Sequence, residues 1–164
     1  MKHLAVLEKV FTCDRLMKLT LDIFLGIRGE IKADIEEVLL IAESISNEEA
    51  NHELSCILKN IEKIFIPKLD EVIDSIYDDY EMFNFDISVF SNMVEYIEKD
   101  IKNIDPVNTL AARVDFLMLI LRDILEPALD NEVLKALISP FLIYEEVLKH
   151  LSEFLKSFEK TYMT

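Results

Sequence analysis

Residues 16–45, LMKLTLDIFLGIRGEIKADIEEVLLIAESI, carry apolar side chains at Leu16, Leu19, Ile23, Ile27, Ile31, Ile35, Val38, Ala42 and Ile45. The steps are threes and fours, the period of one helix face, and nowhere does the alternation of a half-buried strand intervene. This is the pattern of a long amphipathic helix. Gly26 and Gly29 are its weak points, since each costs about 1 kcal/mol against Ala inside a helix and can mark a bend or a close crossing. Upstream, Leu4, Leu7, Val10 and Phe11 keep helical spacing, so the first helix either runs on past Asp14, breaks there, or divides at Gly29.

The rest of the chain repeats that logic. Ser46-Asn47-Glu48-Glu49 has the form of a capping box, with Ser46 as the cap and Glu49 reaching back. Behind it the stripe Leu54, Ile57, Leu58, Ile61, Ile64, Phe65 continues through Pro67 as Leu69, Val72, Ile73, Ile76 and Tyr80. Because the phase survives the proline, a kinked helix is expected there rather than a stop. Asp86 or Ser88 can open a further helix reaching Ile104, and Asp105-Pro106 and Ser139-Pro140 are boundaries at which Pro fits the first helical turn. The run Phe116-Leu117-Met118-Leu119-Ile120-Leu121 is apolar on every side and predicts a central helix packed all round. Ile61 to Asp70 and Leu121 to Asp130 echo one another around Pro67 and Pro127, which a duplicated hairpin would explain.

With 164 residues, 51% apolar content, two Gly and four Pro, the chain can build a core and has few corners to turn. The expected fold is all-α: one domain over residues 1–164, a mostly antiparallel bundle of five to seven helices, some of them Pro-kinked. Cys13 and Cys56 fall at positions that predict buried, reduced thiols. The N-terminus opens like a signal peptide, but Glu8 and Lys9 cut its apolar run short, and no uncharged stretch reaches the roughly 20 residues of a membrane span. A cytoplasmic protein is expected.

Charge gives the functional signal. Asp70, Glu71, Asp74, Asp78, Asp79, Glu81, Asp86, Glu95 and Glu98 fall in one stretch without Lys, Arg or His, in a chain of formal net charge −15. Such a field attracts cations and basic protein surfaces and repels phosphate backbones, so direct nucleic-acid binding is disfavoured. The expected function is a non-enzymatic interaction module (an adaptor, inhibitor or assembly subunit) whose partner-binding residues are Asp70, Glu71, Asp74, Asp78, Asp79, Glu81, Glu95 and Glu98. Mean hydropathy of +0.22 alongside 30% charged residues implies surplus apolar surface, and with it self-association as a homodimer.

Chemistry has little foothold. No Ser or Cys lies in a glycine-flanked elbow and no glycine loop cradles phosphate, so no catalytic residue and no cofactor is implied. The alternative to an interaction module is a carboxylate metal site built on Asp70, Asp74 and an acid from another helix, or a pocket for an apolar ligand behind the stripes. Glu49-x-x-His52 is half of a di-iron bundle motif, but the second copy is missing, and Glu146 and His150 have the spacing of a surface ion pair. His52, beside Asn51 and Glu53, is expected in solvent.

Overall fold

A computed structural model describes residues 2–83 and 106–162, with side chains described at 12, 14–79 and 109–158. Its elements are α1 (Lys2–Ala42), α2 (Glu48–Asn60), a π-helical turn (Ile61–Phe65), α3 (Ile66–Phe83), α4 (Pro106–Leu125), a 3-10 turn (Glu126–Ala128), α5 (Glu132–Leu137) and α6 (Ser139–Tyr162). The π turn joins α2 to α3 in one rod, so the described residues form five helices packed in a single body, without a strand. The predicted helix ending near Ile104 lies outside the described residues.

α1 runs unbroken for 41 residues, through Asp14 and through both glycines. Asp14 lies one turn before Lys18 and pairs with it at 3.4 Å, an orientation that suits a helix. Gly26 and Gly29 are exposed and have ordinary negative φ, and a Cβ at either would meet nothing within 4 Å. They neither break the helix nor mark a close crossing. The buried face is also wider than the predicted stripe: Leu19 lies outside, whereas Met17, Thr20, Leu21 and Phe24 join Ile27, Ile31, Ile35 and Val38 within. Thr20 is tolerated there because its hydroxyl donates to the Leu16 carbonyl at 2.7 Å.

The link at residues 43–47 sends α2 back along α1. The cap of α2 is Asn47, one residue after the expected Ser46, because the Asn47 Oδ1 accepts from the amides of both Glu49 and Ala50, at 3.0 and 3.2 Å. Asn51 closes the corner by donating to the Ile45 carbonyl at 3.0 Å. Pro67 does leave the helix running, and the accommodation is visible one residue earlier: the Ile66 amide donates to Ile61, five residues back. Widening the backbone there relieves the clash between the proline ring and the carbonyl four residues before it. Leu58, Ile61, Phe65, Leu69 and Ile76 stay buried across the turn.

α4 begins at Pro106 as predicted and packs antiparallel to α6, since Arg122 meets Glu145 while Asp115 meets Ser152. It touches every other long helix, yet it is not covered all round: Phe116 is 47% and Leu119 50% exposed. Its inner face is Leu110, Val114, Leu117, Leu121 and Leu125. Of the six apolar residues in the run, Leu117 and Leu121 are buried, Met118 and Ile120 half-buried, and Phe116 and Leu119 bare. The echo around the two prolines does not extend to structure, because the chain continues as helix through Pro67 and ends in a 3-10 turn at Pro127. That argues against a duplicated hairpin. At the second proline boundary α5 stops at Leu137, buried Ile138 turns the corner, and α6 opens at Ser139. Among the described residues no helix is long and apolar enough to cross a membrane.

Candidate functional site

On α3 the residues Leu69, Val72, Ile73 and Ile76 bury one face and leave the acids on the rest of the circumference. Three of the five described acids are answered by cations. Arg28 of α1 donates from Nε to Asp70 at 2.6 Å, Arg113 of α4 donates to Asp79, and Lys68 reaches Glu71 at 3.3 Å. The expectation of an uncompensated run is corrected at these positions. The stretch contains no cation in sequence, but folding lays two arginines from other helices against it. Asp74 and Asp78 remain exposed, one turn apart, and no cation pairs with them among the described residues. Between them stands Tyr77, 44% exposed. The side chain of Glu81, and all of Asp86, Glu95 and Glu98, lie outside the described residues.

The arginine contacts also fix how α3 is rotated. Each lies at the margin between core and solvent, where a guanidinium covers apolar surface with its stem and pairs at its tip. Asp70 held toward α1 and Asp79 held toward α4 leave Asp74, Tyr77 and Asp78 on the outer arc. Arg113 is committed inward, its Nη1 buried without a partner among the described residues.

A second concave feature lies at the other end of the rod. Glu48, Glu49, His52 and Glu53 of α2 form one wall of an open groove of about 650 Å³, with Cys56 and Asn60 further along. Asp123, Ile124 and Pro127 form the opposite wall. His52 is in solvent as expected. Cys56 is exposed, against the prediction of a buried thiol, with Sγ 3.8 Å from His52 Nε2; the Cys13 side chain lies outside those described. Sequence singled out the Glu49–His52 pair only as half of a di-iron motif, and nothing in it signals that Asp123, seventy-odd residues away, faces the same space. Among the described residues no group of three or more His, Cys, Asp or Glu is arranged to hold a metal ion. His150 lies 3.6 Å from Glu146 and 3.8 Å from Glu153, at the surface.

The remaining polar contacts latch helices together. Tyr144 of α6 donates to Asp34 of α1; burial, then that hydrogen bond, pushes the phenol well above its ordinary range. Asp115 accepts from Ser152 and from Lys156, the latter at 2.8 Å. Partial burial alone would raise its pKa, but the two hydrogen bonds and the Lys156 charge outweigh it and hold the carboxyl below its ordinary value. Arg122 pairs with Glu145 at 2.8 Å, which raises the guanidinium further.

No family model and no solved structure matches the chain. It is 38% identical over 166 aligned positions to an uncharacterized protein of Aquifex aeolicus (strain VF5), and the match takes in 98% of this chain and 97% of that protein. The likeness spans nearly the whole of both chains, so the chain belongs to one family with this Aquifex protein.

Proposed function

We propose that this protein is a non-enzymatic interaction module, an adaptor, inhibitor or assembly subunit, that presents the outer face of α3 to a basic surface on a protein partner. One observation supports it most: Asp74 and Asp78 stand exposed with Tyr77 between them, while the acids to either side are spent on arginines. Two exposed carboxylates that have no cation among the described residues, with an exposed aromatic ring on the same outer arc, offer Arg or Lys charge on the acids and cation–π contact on the ring. In sequence the same run of charge continues through Glu81, Glu95 and Glu98. Complementarity of this kind speeds encounter and rejects wrong partners more than it adds affinity.

The test is capture of partners from the native host at low and high salt, with wild type and with Asp74→Lys/Asp78→Lys. Captured protein should fall as salt shortens the Debye length from about 30 Å at 0.01 M to about 8 Å at 0.15 M, and should fall again in the double variant. A partner indifferent to both changes removes the proposal. Homodimerisation through exposed apolar residues, such as Leu40 at 68% and Ile143 at 61%, belongs to the same reading. Sedimentation showing a monomer at every concentration would discard that part.

A further inference from the structure

We propose that the groove between α2 and the end of α4 takes a basic segment of a partner protein, with one apolar side chain seated on the groove floor. This rests on the reading that the protein meets basic partners, and it adds a second contact point of different shape. Ile57 and Ile124, buried at the foot of the two walls, give the groove an apolar floor, and Glu49, Glu53 and Asp123 give it a rim of acids on both walls. Among the described residues no Lys or Arg lines it. Arg122, next to Asp123, is turned away and held by Glu145.

Glu48 and Glu49 fall in the first turn of α2, where the helix dipole favours acids regardless of any ligand. Glu53 and Asp123 lie beyond that turn, and among the described residues neither has a cationic partner. They face the same space from different helices, so the negative potential is concentrated over a low-dielectric floor. The groove is open along one side, so a segment of a few residues can lie along it. An anion is repelled by the rim, and among the described residues a hydrated divalent ion finds no arranged set of three ligands. A cationic chain with an apolar anchor satisfies both floor and rim.

The experiment measures fluorescence anisotropy of a fluorescein-labelled peptide of alternating Lys and Leu, against a peptide of alternating Lys and Ser with equal charge. The Lys/Leu peptide should bind more tightly. Glu53→Lys/Asp123→Lys should weaken it by about tenfold, and Asp74→Lys/Asp78→Lys by less than about twofold. If the reversed groove variant fails to fold, Glu53→Gln/Asp123→Asn replaces it, with an expected loss of about threefold. Equal binding of the two peptides overturns the proposal, as does equal loss in the groove and α3 variants. If the groove variants bind unchanged while capture of host partners still depends on Asp74 and Asp78, the groove is discarded and the α3 reading stands.

Discussion

Asp115 and Tyr144 are single residues on which two helix contacts turn, and their displaced pKa values give each a pH signature. The Asp115 carboxyl is held below its ordinary value, so its contribution is present above the unfolded pKa of about 3.9 and is lost as pH falls through the folded value. Asp115→Asn should therefore lower stability at neutral pH, and the gap to wild type should close in urea titrations carried below about pH 4. Tyr144 has the opposite sense. Its proton is held more tightly when folded, so that contribution is complete below the unfolded value of about 10 and is lost as pH rises beyond it. Tyr144→Phe should cost about 1–2 kcal/mol at neutral pH through the lost hydrogen bond to Asp34, and should abolish the extra alkaline sensitivity in thermal melts.

At the scale of the element, α1 and α2 carry two separable predictions. Gly26→Ala and Gly29→Ala should each raise stability by about 1 kcal/mol, because both glycines are helical, exposed and unobstructed; a shift of the urea midpoint at constant slope would show it. Asn47→Ala should cost about 1 kcal/mol, whereas Ser46→Ala should leave the melting temperature nearly unchanged, since Asn47 holds the two amides. The same elements show where sequence is informative. Spacing by threes and fours located α1, α2, α3, α4 and α6 but not the short α5, and proline chemistry located the starts of α4 and α6, because both are properties of neighbours along the chain. Which neighbour covers a helix face is not such a property. Phe116 and Leu119 have the composition of core and lie bare, and Asp70 and Asp79 are matched by arginines 42 and 34 residues away. In sequence the Glu49–His52 pair reads only as half of a di-iron motif with His52 in solvent; the groove itself is not legible there, since its far wall at Asp123 exists only once α4 is laid against α2.

For the whole molecule, net charge and surface pairing act in opposite directions on folding and on association. A charge of −15 repels itself in the compact state, while the exposed ion pairs are worth about 0–1 kcal/mol each and are screened as well. Adding sodium chloride from low to physiological concentration should thus raise the melting temperature, in the same range over which capture of a basic partner declines. A melting temperature that fell with salt would show that specific pairs such as Arg28–Asp70 outweigh general repulsion.

The unbroken passage of the rod through Pro67 has a metric consequence. Glu53 faces α4 across the groove, while Asp74 stands on the outer arc of α3; twenty-one residues separate them, and at about 1.5 Å of rise per residue the gap is about 30 Å. The rod is thereby a ruler. Any one molecule gripping both places must reach across the width of a small domain, and shorter ones compete for a single end without ever gaining the effective concentration of a two-handed hold.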